Sequence, residues 1–252
     1  MLQKRIIPSL LLHGSSLVKT IRFDKYQYIG DPCNTVRIFN ELEVDELAFL
    51  DIRASKDFSE PNYELLADIS NECFMPLSYG GGIKSLDQAK KIFDIGFEKV
   101  IVNSQALLNP KIITDIAKQF GSQAVISSID YKKPFYGKPR LYNSSKKVLT
   151  KIDPIKWAKE MELHGAGEIL FTSVDREGTW SGLDNNFIIE LVDAVNIPVI
   201  AHGGVGKIGD IKDIFLASSI SAVALGSLVV FQKKGMGVLV NFPDITSEAF
   251  ES

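Results

Sequence analysis

The sequence predicts a (β/α)8 barrel, also called a TIM barrel, with a twofold internal repeat. Eight short apolar, β-branched segments recur along the chain, separated by stretches long enough for helices. Its second half repeats anchor residues of the first at similar spacing: Gly81 follows Asp51 by 30 residues, and Gly204 follows Asp175 by 29. A length of 252 residues also fits, since one such barrel commonly takes about 250.

The predicted strands are near-continuous apolar runs, which is typical of parallel strands covered by helices. In chain order they are Ile6–Leu12, which ends before Gly14; Glu46–Ile52, which includes Asp51; Met75–Gly80, which runs into two more glycines; Lys99–Asn103, which precedes Ser104; Ala124–Asp130; Glu168–Ser173; Pro198–His202, which precedes Gly203; and Ala222–Gly226, which precedes Ser227. We expect a single domain over residues 1–252, with half-barrels of approximately residues 1–122 and 123–252. An open doubly wound sheet is the alternative, because a strand count does not prove closure.

Composition sets broad limits on function. A net charge of −3 and a pI near 5.7 provide no overall basic field, so neither nucleic acid nor a membrane is an expected partner. Two cysteines are too few for a disulfide framework, and no apolar run reaches the roughly 18 residues of a membrane span. The first residues lack a secretory signal, so we expect a cytoplasmic protein, with no metal and no cofactor.

Two Gly-rich turns are candidate phosphate sites. In this fold the chemistry lies at the carboxyl ends of the strands, and glycine lets backbone N–H groups approach an anion closely. A single Gly-Gly pair is more often only a tight turn, but the matched spacing favours two cradles and hence a substrate with two phosphates. The candidates are Gly81, Gly82, Asn103 and Ser104 in the first half, and Gly203, Gly204, Gly226 and Ser227 in the second.

Asp130 is the best candidate for proton transfer, because it closes an apolar strand at the chemical end of the barrel. A capping or loop-fixing role is the alternative. Asp51 and Asp175 occupy equivalent places in the two halves and organise either loops or substrate hydroxyls. His13 and His202 are interpreted as packing or hydrogen-bonding residues ahead of direct chemistry. Further candidate substrate-binding residues are Lys19, Ser173 and Gly178.

Residues 132–151 carry seven basic side chains and no acidic one. A solvated hairpin around Gly137 is the simpler interpretation. The other is an electrostatic clamp for an anionic substrate or a nucleotide-linked group, because local positive potential concentrates such ligands. Lys19 could act in the same way.

Several motifs carry a resemblance that covers nearly the whole chain. They are Lys4-Arg5-Ile6-Ile7, Val18-Lys19, Phe49-Leu50-Asp51-Ile52, Gly80-Gly81-Gly82-Ile83, Val102-Asn103-Ser104, Ile129-Asp130, the run from Gly165-Ala166-Gly167-Glu168-Ile169-Leu170 into Thr172-Ser173-Val174-Asp175-Arg176-Glu177-Gly178-Thr179, and Gly203-Gly204. The sequence resembles the cyclase subunit of imidazole glycerol phosphate synthase (HisF). That family works with a glutaminase partner (HisH), so the resemblance implies a heterodimer in which ammonia enters the bottom of the barrel.

Four charged residues fall at or beside predicted strand beginnings: Arg5, Glu46, Lys99 and Glu168. The resemblance implies that they form a ring that gates the ammonia passage. An ordinary salt-bridge network is the alternative, and it is favourable only where its members compensate one another's desolvation.

One position departs from the family. The family pairs an aspartate at the end of the first strand with the one matching Asp130, whereas this chain has Leu11, which cannot transfer a proton. His202 also stands where the family usually has serine. These changes resemble a HisF-like paralogue of surface-polysaccharide (lipopolysaccharide) pathways, thought to supply ammonia for converting an acetamido sugar into an acetamidino sugar.

Under that interpretation a sugar amidotransferase is a further partner, and the substrate is phosphorylated or nucleotide-linked. One alternative is a working cyclase of histidine biosynthesis. A second is the related sugar isomerase of that pathway (HisA), and a third is a non-catalytic ammonia conduit.

Overall fold

The computed structural model describes residues 4–243. Its strands are β1 (Arg5–His13), β2 (Ser16–Thr20), β3 (Tyr26–Gly30), β4 (Leu47–Asp51), β5 (Leu77–Gly80), β6 (Lys99–Val102), β7 (Val125–Lys132), β8 (Arg140–Asn143), β9 (Val148–Leu149), β10 (Glu168–Ser173), β11 (Val199–His202) and β12 (Ala222–Leu225). Its helices are α1 (Pro32–Glu41), α2 (Tyr63–Glu72), α3 (Leu86–Ile95), α4 (Ser104–Leu108), α5 (Lys111–Phe120), α6 (Pro154–Leu163), α7 (Asn185–Val192), α8 (Ile208–Ala217) and α9 (Ser227–Val230).

Eight of these strands close into a parallel barrel in the order β1, β4, β5, β6, β7, β10, β11 and β12, with β12 pairing back to β1. The predicted (β/α)8 barrel is confirmed, and the open-sheet alternative is wrong because β7 pairs with β10. Every predicted strand lies within two residues of an observed one at both ends.

Helix boundaries follow local chemistry. Asp31 and Asp153 accept backbone N–H bonds at the starts of α1 and α6, each directly before a proline. Helix α3 ends at Ile95 and is capped by Gly96, whose φ of 118° favours glycine. Among residues 4–243, no helix combines the length and apolarity that crossing a membrane requires.

Apolar side chains pack on both sides of the barrel wall. The larger apolar layer lies between strands and helices, and a smaller one fills the interior. Alternate residues of each strand point inward. The interior layer consists of Ile7, Ala48, Ile101, Ile126, Leu170, Ile200, Ala222 and Ala224.

Two antiparallel extensions rise from the carboxyl end of the barrel. Strands β2 and β3 continue from β1, and β8 and β9 continue from β7. In the second extension the basic segment forms a hairpin through β7 and β8, with Gly137 at a φ of 102°, a geometry that fits both interpretations of its positive charge. Both extensions stand beside the ends of the strands where the candidate residues gather.

Candidate functional site

A cleft opens at the carboxyl ends of the barrel strands. Its empty volume is about 1030 Å³, counting the space at its open mouth. The candidate residues that line it are Lys19, Asp51, Gly81, Gly82, Asn103, Ser104, Asp130 and Gly226. Leu11, Glu177 and His202 line it as well. The fold therefore brings residues from both halves of the chain to one site.

Asp130 is buried in this cleft, with 5% of its surface exposed. The amide nitrogen of Asn103 donates to its Oδ2 at 2.9 Å. Burial raises the pKa of Asp130 to about 7, although hydrogen bonds from Ser144 and Asn103 oppose that rise. At neutral pH this carboxyl group can both hold and release a proton.

Leu11 and His202 also line the cleft, and neither adds a charge to it at neutral pH. Leu11 is 7% exposed and pairs with Leu50 and Val18 of the neighbouring strands. His202 Nδ1 lies 3.2 Å from the Thr172 hydroxyl, and burial lowers the pKa of this histidine to about 4. The imidazole is therefore neutral at pH 7, and it offers a hydrogen bond without a charge.

The turn after β5 is shaped by two glycines. Gly81 and Gly82 have φ angles of 137° and 69°, and a Cβ at Gly81 would come within 2.6 Å of the Asp51 Cβ. The Asp51 carboxylate accepts backbone N–H bonds from Arg53 and Ala54 at 2.8 and 2.9 Å. Asp51 thus holds the loop that packs on this turn, and Gly81 and Gly82 line the cleft together with Asn103 and Ser104.

The second predicted cradle forms a smaller recess of about 250 Å³ beside the cleft. Its lining includes the predicted residues Lys19, Gly178, Gly203, Gly204, Gly226 and Ser227. Ser173 and Asp175 are not among the residues lining either space. Asp175 instead accepts a 2.8 Å hydrogen bond from the Lys133 backbone, so it ties the basic hairpin to the loop after β10.

Glu177 is a site residue that the sequence did not single out. It is 1% exposed and forms an ion pair with Lys19, itself 6% exposed. It also accepts hydrogen bonds from the Thr20 hydroxyl at 3.0 Å and the Phe23 backbone at 3.2 Å. The β2–β3 extension is thereby latched onto the loop after β10. Glu177 lies within the quoted Asp175-Arg176-Glu177-Gly178 run, but its partners lie more than 150 residues away.

At the opposite end of the barrel, four charged side chains alternate in a closed ring. Arg5 contacts Glu46 and Glu168 at 2.7 Å each, and Lys99 contacts Glu46 at 3.3 Å and Glu168 at 3.4 Å. Their side chains are 5–22% exposed. Burial opposes the charge on Arg5, but the two carboxylates outweigh it and raise the pKa of Arg5. Each charge is compensated, as partial burial requires.

The rings of His13 and Tyr26 contact each other at 4.6 Å between centroids with a tilt of 32°, and His13 is not among the residues lining the cleft. Within residues 4–243, no group of three or more His, Cys, Asp or Glu side chains is placed to hold a metal ion.

These features place the protein in the class of (β/α)8 barrels that carry a cleft with ionisable side chains at the strand carboxyl ends, where this fold performs chemistry. Residues 5–234 match the family of histidine biosynthesis proteins. The chain is 48% identical to a Pseudomonas aeruginosa protein provisionally named imidazole glycerol phosphate synthase subunit hisF2, over 97% of this chain and 98% of that one.

Two further relatives carry the same subunit name. A Leptospira borgpetersenii protein, provisionally named imidazole glycerol phosphate synthase subunit HisF, is 46% identical over 98% of each chain. The imidazole glycerol phosphate synthase subunit HisF of Alkaliphilus metalliredigens is 40% identical over 90% of each chain. The chain therefore belongs to the histidine biosynthesis family, among its HisF-like imidazole glycerol phosphate synthase subunits.

Proposed function

We propose that this barrel receives ammonia from a HisH-like glutaminase and delivers it through its interior to the cleft, for acetamidino-sugar formation in surface-polysaccharide biosynthesis. The observation that carries the proposal is the alternating ring of Arg5, Glu46, Lys99 and Glu168. It stands at the end of the barrel opposite the cleft, where a partner that makes ammonia would dock.

The barrel interior supports such a passage. Between ring and cleft lies the interior apolar layer, in which Ala48, Ala222 and Ala224 have small side chains. The buried Ser9 hydroxyl, which lacks a hydrogen-bond partner among the described residues, also lines the cleft above this layer. Ammonia is small and neutral, so it can cross an apolar layer at far lower cost than an ion.

The cleft residues support a changed reaction. A cyclase of this family uses an aspartate where this chain has Leu11, which lines the cleft and cannot transfer a proton. We propose that Asp130 is the remaining acid–base group and that the two Gly-rich turns hold a phosphorylated or nucleotide-linked substrate. A sugar amidotransferase is then a further partner that presents the acetamido group.

The test uses the purified chain and its cognate glutaminase. The proposal expects a complex in which glutamine hydrolysis is stimulated. Lys99→Met should lower glutamine-dependent product formation about tenfold, a barrier change of about 1.4 kcal/mol, but leave the reaction with added ammonium unchanged. Lys118→Met, on the exposed end of α5, is the matched control. Absence of binding and of stimulation would contradict the proposal.

Imidazole glycerol phosphate formation is the second candidate. In that reaction the phosphoribosyl-formimino substrate (PRFAR) and ammonia give imidazole glycerol phosphate and the aminoimidazole carboxamide ribotide (AICAR). The pKa of Asp130 near 7 favours it, because one buried carboxyl group poised at neutral pH can serve as acid and base in turn.

Assay of that substrate with ammonium separates the candidates. Turnover above background that Asp130→Asn abolishes supports the cyclase. Product formation by the complex that survives Asp130→Asn but is lost in Lys99→Met supports a non-catalytic ammonia conduit.

A further inference from the structure

A half-buried lysine at the mouth of the cleft has no ion-pair partner in the described range. Lys56 lines the cleft, and its ammonium group forms neither an ion pair nor a hydrogen bond with any residue in the described range 4–243. Burial and the nearby positive charges of Lys147 and Arg53 lower its pKa, and the more weakly acting carboxylates of Asp57 and Asp24 oppose that shift only in part. Burial and the two neighbouring cations outweigh these carboxylates, so a bound anion would stabilise the ammonium group.

The second cation comes from the extension after β7. Asn143 Oδ1 accepts hydrogen bonds from the Ser145 hydroxyl at 2.8 Å and the Lys146 backbone at 3.0 Å, so it shapes the turn between β8 and β9. Ser144 and Ser145 of this turn line the cleft. Lys147 ends the turn with a φ of 55°, and within residues 4–243 its side chain has no ion-pair partner.

These residues lie next to the first Gly-rich turn. The hydroxyl of Ser55, the neighbour of Lys56, accepts the Gly82 N–H at 3.3 Å. A Cβ at Gly82 would lie 2.9 Å from that of Ala54, which shows how closely this loop packs on the turn. An anion held at Gly81 and Gly82 would therefore have Lys56 as a near neighbour.

The recess around Gly203 and Gly204 differs from the rim of the cleft because its lysine is paired with a carboxylate. Its lining includes one cation and one carboxylate, Lys19 and Glu177, and they are paired with each other. In the described range, cations without an ion-pair partner thus lie at the rim of the cleft and not in the recess, which favours two adjacent phosphates at the rim over two distant ones.

We propose that Lys56, Ser144, Ser145 and Lys147 form an anion subsite, the rim subsite, that binds one phosphate of a diphosphate group whose other phosphate sits at the Gly81–Gly82 turn. The substrate class is a molecule with two directly linked phosphates, such as a nucleoside diphosphate derivative. This inference rests on the proposed role of the cleft in substrate binding and specifies its substrate.

The test compares three probes by calorimetric titration of the full chain: inorganic pyrophosphate, inorganic phosphate, and fructose 1,6-bisphosphate, whose two phosphates lie far apart. Pyrophosphate should bind about tenfold more tightly than phosphate. Lys56→Ala and Lys147→Ala should each weaken pyrophosphate about fivefold to tenfold and change the affinity of phosphate less than about twofold. Lys138→Ala, an exposed change on the same extension, is the control and should change nothing.

Equal losses for phosphate and pyrophosphate would overturn the rim subsite, as would loss of fructose 1,6-bisphosphate binding to the same degree as pyrophosphate. Thermal unfolding of each variant verifies folding. Glutaminase stimulation is measured on the same proteins, so that stimulation without selective pyrophosphate binding overturns this inference alone.

Discussion

Asn103 donates a 2.9 Å hydrogen bond from its amide nitrogen to the carboxylate of Asp130, inside the cleft. The contact joins the ends of two neighbouring strands, β6 and β7. It favours the ionised carboxylate and so opposes the effect of burial, which raises the pKa of Asp130 to about 7. The balance of these two effects sets the protonation state of the proposed acid–base group.

Removing that hydrogen bond should raise the pKa of Asp130. Asn103→Ala deletes the donor, and a charge-assisted bond of this kind corresponds to about one pKa unit. Carboxyl NMR titration of the labelled protein measures the shift. Gln105→Ala is the control, since Gln105 lines the cleft without contacting Asp130. An unchanged or lower pKa in Asn103→Ala would show that the amide does not stabilise the carboxylate.

Asp130 should also make stability depend on pH. Its folded pKa of about 7 exceeds the ordinary value of 3.8, so the folded state binds more protons between these values and the free energy of unfolding falls as pH rises. Asp130→Asn should remove this fall and stabilise the protein at pH 8 by roughly 4 kcal/mol at most. Denaturant unfolding at pH 5 and pH 8 measures it. Parallel pH profiles for both proteins would contradict the assignment.

His202 should change the free energy of unfolding with pH in the direction opposite to Asp130. Its folded pKa of about 4 lies below the ordinary value of 6.5, so the unfolded state binds more protons and stability falls as pH drops from 6.5 towards 4. His202→Gln should reduce this acid sensitivity by roughly 3 kcal/mol at most over that window. Unfolding curves at pH 7 and pH 4.5 test it against Asp130→Asn, which removes the other buried group. Acid sensitivity that is unchanged in His202→Gln would contradict the expectation.

Glu177 should hold the β2–β3 extension against the barrel. Glu177→Gln leaves the Lys19 ammonium buried without its counter-charge, which commonly costs about 3–5 kcal/mol. Hydrogen exchange of residues 16–30 should then accelerate. Glu72→Gln, which breaks an exposed pair with Arg37, should change little. Exchange rates that match the wild type in Glu177→Gln would show that the latch does not restrain the extension.

Much of the fold could be read from the sequence because parallel barrel strands are buried on both sides. Because of that burial, the strands occur in the sequence as apolar runs such as Ile6–Leu12. The glycines after β5 and β11 mark turns that need a positive φ. The charged ring could be anticipated because its members occupy strand beginnings. Its closure depends on Arg5 reaching both Glu46 and Glu168, which only the three-dimensional structure shows.

Long-range polar contacts could not be predicted in the same way. Glu177 reads as an ordinary loop acid, and its importance lies in its ion pair with Lys19, 158 residues away. The apolar pattern marks no strand at β2 or β8, because polar residues such as Lys19 and Arg140 interrupt it. The pKa of Asp130 depends on burial that no local pattern reveals.

Isotope competition in the glutaminase complex tests the central claim most directly. Glutamine labelled with ¹⁵N in its amide would be supplied with a large excess of unlabelled ammonium, and the product's nitrogen analysed by mass spectrometry. An internal passage behind the ring of Arg5, Glu46, Lys99 and Glu168 predicts that the product retains the ¹⁵N label. Label diluted to the proportion present in the surrounding solution would contradict the account.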